Sequence, residues 1–191
     1  MILGLVVLIA FAIRLAAQGS IGGLESIRIR GEAYLLGVFV LVFALPLVST
    51  LVHPSRSLVV PVWVALMVVL LGLCLFNGRE SRGFLVMAAG VALNLLVIAL
   101  NGGMPVSEAA VLTVGGAAGA RAVVAGDLFH SVMTGATKLA FLSDVLPLPG
   151  FRGLRGVFSI GDVLMFVGIL VVVASAPGSL SLDSRSRIRG R

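Results

Sequence analysis

Long apolar stretches separated by short polar ones set the pattern of this chain. The stretches at about 1–17, 33–53, 58–76, 84–101 and 157–176 are almost wholly apolar. A helix of about 17–25 such residues crosses the hydrocarbon core of a bilayer, so the pattern predicts five transmembrane helices. The polar connections "GSIGGLESIRIRGE", "HPSRS" and "NGRESRG" divide the first four. Pro46 and Pro61 fall inside the second and third spans, where neighbouring groups in lipid re-satisfy the freed backbone. Arg14 stands near one end of the first span, within snorkelling reach of the interface. The start "MILGLVVLIAFAIRLAAQ" lacks the basic region of a secretory leader, so a retained first helix is preferred over cleavage after "LAAQ". No repeat of fixed period is visible, and five spans disfavour a transporter built from equal inverted halves.

The stretch from 102 to 156 breaks the pattern. It is too long for a plain connection, and "TVGGAAGA" within it resists a stable helix. "GDLFHSVMTGATKLAFLSDV" places Leu128, Val132, Ala136, Leu139 and Leu142 or Val145 along one helical face. An amphipathic or re-entrant segment over 127–146, lying on the outer membrane surface, is therefore expected. A sixth, short span is the main alternative.

Composition points to the same class. The 191 residues are 59% hydrophobic and 12% charged, about half the charged share of a soluble domain. The net charge of +6 is concentrated in particular segments. Arg28 and Arg30 follow the first span, Arg79 and Arg82 the third, and Arg185, Arg187, Arg189 and Arg191 close the chain. Short basic segments stay in the cytoplasm. A bacterial cytoplasmic (inner) membrane protein is thus expected, with the N-terminus outside, a single domain over 1–176 and a basic cytoplasmic tail over 177–191. The tail has no aromatic residues among its arginines, so it reads as a contact for anionic headgroups and not for nucleic acid. The expected partners are membrane lipids and a lipid-linked or membrane-protein substrate. Cys74 is alone in an apolar run, which leaves no disulfide framework.

Charge is sparse, so the acids carry the candidate chemistry. Asp162 lies in the last apolar run, about 7 Å past the helix start at 1.5 Å per residue. Ionisable groups at membrane depth are usually paired or functional. Ser159, three residues earlier, makes a capping box the competing reading. Asp144 precedes the stiff turn "VLPLPG" and is either an exposed residue ending a helix or the partner of Asp162. Two close carboxylates share a proton, so one can act as base on a water while the other protonates a leaving group. "NGGMP" offers Asn101 and the backbone of Gly102 and Gly103 as substrate anchors, although a left-handed helix stop is the preferred reading. His130 and Ser159 are the remaining candidate substrate contacts. A zinc site is not expected because only His53 could partner His130. There is no nucleotide loop, GxSxG elbow or Cys–His pair, so no cofactor is implied.

The set "NGGMP", "H", "FLSDVLPLPG" and "FSIGD" resembles a bacterial family of small polytopic membrane proteins classed only as a domain of unknown function. "VFSIGDVLMFVGILVVV" resembles the last helix of lipoprotein signal peptidase (signal peptidase II), with Asp162 at the aspartate of its F-N-x-A-D motif. Asp144, 18 residues earlier, takes the position of that family's other aspartate. Ser159 replaces the motif Asn and Gly161 its Ala, and Gly135 stands where an N-x-x-D-R box would begin. The resemblance covers about 35 residues and implies an outward-facing aspartyl peptidase, with Asp144 and Asp162 as the pair. In a hydrolase of this kind Asn101 and the Gly102–Gly103 backbone would position substrate, and the glycine-rich stretch 113–126 would serve as a flap. The alternative is a non-catalytic membrane module: a small carrier, a lipid-binding protein or a complex subunit.

Overall fold

The computed structural model describes residues 28–52, 54–124, 128–150 and 155–175. Most of these are helical. Helix α1 spans Glu32–Val52, α2 Arg56–Phe76 and α3 Arg82–Asn101. A cap follows, containing β1 (Met104–Val106), α4 (Glu108–Val124), β2 (His130–Val132), a 3-10 turn at Ala140–Leu142, β3 (Leu146–Leu148) and β4 (Gly156–Phe158). Helix α5, Ile160–Ala174, closes the described chain.

Helices α2 and α3 are long and apolar enough to cross a membrane. Helix α1 covers the second expected span with 21 residues. The last expected span becomes a helix of 15 residues, about 22 Å long and short of a core of about 30 Å. Five full spans are therefore not supported. The first span and the tail lie outside the described residues, as do Arg14, His53 and Asp127.

The all-α expectation is corrected by two small sheets. Strands β1 and β2 pair in parallel, with Met104 opposite His130. Strands β3 and β4 form an antiparallel hairpin, with Leu146 opposite Phe158. The expected amphipathic helix over 127–146 is absent because its backbone groups bond elsewhere. Residues 130–132 pair with β1, and Lys138 exchanges both its backbone groups with the Asn101 side chain, at 3.0 Å each way. Between them Thr134 and Thr137 close a turn by side-chain bonds, Thr134 N–H donating to Thr137 Oγ1 at 2.9 Å. The glycine-rich stretch expected to resist helix formation instead lies within α4. That helix breaks at Gly116, whose φ of 60° and ψ of −165° suit glycine alone.

Two features set the geometry of the helices. Asn77 is fully buried at the end of α2. Its amide donates to Leu73 O at 2.9 Å and Arg30 O at 3.0 Å and accepts from Arg30 N at 2.6 Å, tying the entry of α1 to the end of α2. Arg30 then reaches Glu80 at 2.8 Å and lies over the Phe76 ring.

The second feature is a glycine seam between α3 and α5. Gly83 faces Gly168 and Gly90 faces Gly161, so the helices run antiparallel. A Cβ at Gly83 would lie 2.5 Å from the Gly168 carbonyl, and one at Gly168 would lie 2.6 Å from the Gly83 carbonyl. Small residues let backbones approach this closely, and dispersion then holds them together. The α2–α3 contact is an ordinary apolar core of Met67, Leu70, Cys74, Ala88 and Val91, joined by Val38 of α1.

A methyl group in the seam forces the helices apart. Gly90→Ala and Gly168→Ala should each lower stability by about 1–3 kcal/mol. Gly72→Ala meets nothing within 4 Å and should be neutral or gain up to about 1 kcal/mol of helix propensity. Thermal unfolding in detergent checks this, and equal losses at all three positions would remove the seam's special role.

Candidate functional site

Asp144 is held from three sides. Its N–H donates to Pro105 O at 3.0 Å and its carbonyl accepts from Ser107 N at 2.9 Å, so the residue pairs with Val106 along the free side of β1. The side chain is buried, and its Oδ2 lies 3.6 Å from His130 Nε2. That separation is ion-pair distance for a protonated imidazole and too long for a good hydrogen bond. His130 comes from β2, on the other flank of β1. The two expected site residues therefore meet because a three-stranded arrangement brings them together, although they stand 14 residues apart.

Asp162 closes the capping box of α5. Its N–H donates to Ser159 Oγ at 3.0 Å, and Ser159 N–H donates to Asp162 Oδ2 at 3.0 Å. A third partner joins from α3. Asn94 Nδ2 donates to Asp162 Oδ1 at 2.8 Å, and Ser159 Oγ donates to Asn94 Oδ1 at 2.9 Å. Asn94 and Ser159 are both buried, and the three side chains form a closed polar ring inside an apolar helix contact. Such a ring stabilises only when every member is satisfied, as these bonds arrange.

The hairpin returns the chain so that both aspartates belong to one corner. Val145 N–H donates to Phe158 O at 3.2 Å, which makes Asp144 and Ser159 the residues flanking that bond. Among the described residues no hydrogen bond joins the two carboxylates. Asp162 bonds to Ser159 and Asn94, while Asp144 faces His130. Ser143 beside Asp144 is fully buried, and its hydroxyl finds no hydrogen-bond partner among the described residues.

The corner is recessed. Gly161 abuts Asn94 and Gly90, so α5 starts level with Asn94. Asn94 stands seven residues before Asn101, about 10 Å along the α3 axis.

The expected anchors at the end of α3 bond inward. Gly102, with φ 68° and ψ 27°, is a left-handed cap whose N–H donates to Ile98 O at 2.8 Å. Gly103 N–H donates to the same oxygen at 3.2 Å. The helix-stop reading thus describes these two residues, whose N–H groups both bond to the helix end. Asn101 clamps Lys138. Arg56, at the start of α2, adds a second clamp by donating to His130 O at 3.1 Å and Gly102 O at 3.2 Å. Trp63 meets Phe129 edge to face at 5.1 Å directly below.

Sequence reasoning left Asn94, Arg56 and the four seam glycines outside the site. An Asn within an apolar run was one signal for them. Another was glycine recurring at seven-residue spacing in two such runs.

Residues 26–174 match the family of unknown function DUF5317, and the chain belongs to it. An uncharacterised protein of Thermotoga maritima is 31% identical over 144 residues, 75% of this chain and 78% of the relative. No solved structure matches the chain.

Replacing Asn94 by Leu should cost about 1–3 kcal/mol, because Ser159 and Asp162 lose buried partners. The double variant Asn94→Leu, Asp162→Leu should be less destabilised than the sum of its singles, since both remove the same ring. Denaturant or thermal unfolding of the four proteins tests the coupling, and strict additivity would break it.

Proposed function

We propose that the protein is an integral membrane protein in which Asp144 and Asp162 form a hydrolytic pair acting on a lipid-linked or membrane-embedded substrate. The carrying observation is the recessed corner where the β3–β4 hairpin enters α5. Asp162 lies there with Asn94 and Ser159, about 10 Å inside the end of a membrane-length helix, and the hairpin bond from Val145 to Phe158 ties this ring to Asp144 and its neighbour His130. In this reading one carboxylate takes a proton from water while the other protonates the leaving group. Asn94 and Ser159 orient Asp162, and the β1 backbone and His130 orient Asp144. Asn101, Gly102 and Gly103 serve the site by bracing the cap. The distribution of arginines favours a cap on the outer face of a bacterial cytoplasmic membrane, with the tail inside.

A second reading rests on a specific observation. Both Asp162 oxygens accept structural donors, as they would in a non-catalytic membrane module where the aspartate only caps α5.

The variants Asp144→Asn and Asp162→Asn separate the two readings. A leader peptide carrying a diacylglyceryl-cysteine is offered to the protein in micelles, and cleavage is followed by mass spectrometry. The hydrolase reading expects cleavage by the wild type and its loss in both variants with their folds retained. A wild type that leaves the peptide intact supports the module, as does an Asp162→Asn protein that only melts earlier, by about 0.5–2 kcal/mol of lost capping.

A further inference from the structure

The cap carries apolar surface on one flank. Strand β3 is exposed along its whole length, with Leu146 and Leu148 uncovered, and Phe141 in the neighbouring turn is 65% exposed. The strand leads through β4 directly into α5, whose Ile160, Val163 and Val167 are also exposed. Those three positions fall on one helical face, so hairpin and helix both carry uncovered apolar positions.

Length says what covers these positions. Helix α5 falls about 8 Å short of a core of about 30 Å, and a three-residue strand pair adds about 10 Å. Hairpin and helix together match the hydrocarbon thickness. The backbone is suited to this place. Lipid cannot satisfy exposed N–H groups, and Pro147 in the exposed strand and Pro149 just past it carry none. Arg155 at the other end of the hairpin is exposed, as a headgroup contact would be.

We infer that the β3–β4 hairpin and the Phe141 turn are bedded among the acyl chains of the leaflet at the Asn101 end of the bundle. The cap is then part of the membrane domain. The inference rests on the membrane reading and not on the aspartate pair.

Spin labels on single cysteines test it, in a Cys74→Ala background reconstituted into phosphatidylcholine–phosphatidylglycerol vesicles. The labelled sites are Leu148 and Phe141, with Val69 on the exposed face of α2 as the lipid reference and Ala136 in the cap turn as the aqueous reference. Leu148 and Phe141 should show a several-fold higher ratio of oxygen to nickel-chelate collisions than Ala136, close to that at Val69. Chelate access equal to Ala136 would place the hairpin in water and overturn the inference. Low access to both reagents would overturn it too, by showing cover from another part of this chain or a second copy. If Val69 itself behaves like Ala136, the membrane reading fails and takes the inference with it. Photolabelling of the unmodified protein by a diazirine-bearing phospholipid gives a check free of substitutions. Label in residues 139–148 supports the inference, and label confined to the helices refutes it.

Discussion

The close approach of α3 and α5 along four glycines is the contact on which the rest depends. Helices that meet through large side chains sit 8–10 Å apart and tolerate rotation. Here each backbone presses on the other's carbonyls, and only one axial position lets both glycine pairs meet. That position sets the depth of Ser159, brings it to Asn94 and leaves Asp162 no choice of partner. A polar ring in an apolar contact is costly when half satisfied. The seam removes that risk by fixing its members before any of them has to search.

The cap is fastened to this frame by side-chain bonds to backbone, with little apolar core of its own. Asn101 and Arg56 each bridge to carbonyls or N–H groups of the returning chain. The apolar contribution is a small cluster of Val97, Ile98, Met104 and Leu142, with Trp63 against Phe129. Strands of three residues cannot stand alone. They persist here because β1 continues directly from the end of α3, and because Asp144 and His130 lie on its two sides. The site and the cap's stability therefore share residues, which is why measurements of fold must accompany any measurement of chemistry.

Helices α1, α2, α3 and α5 were legible from the sequence because long unbroken apolar runs leave few alternatives to a helix. Asp162 and Ser159 were legible as a cap because their spacing of three is a local signal. Asp144 with His130 was not, since their contact depends on β1 lying between them and no periodicity reports a parallel pairing. The stretch 127–146 misled for a physical reason. Its apolar positions fit a helical face, but tertiary bonds to β1 and Asn101 claim the backbone groups a helix would need. The glycine-rich stretch misled in the opposite direction, because one break at Gly116 concentrates the strain and frees the flanking turns to be helical.

The seam also governs where the chain can change length. A residue inserted between Gly161 and Gly168 turns everything after it by about 100° and carries Gly168 off the contact, and the same holds between Gly83 and Gly90. Insertions and deletions should therefore be absent from these heptads among relatives. Relatives that keep both heptads intact would hold the Asn94, Ser159 and Asp162 ring at the same depth, however much the length of the chain between them differs.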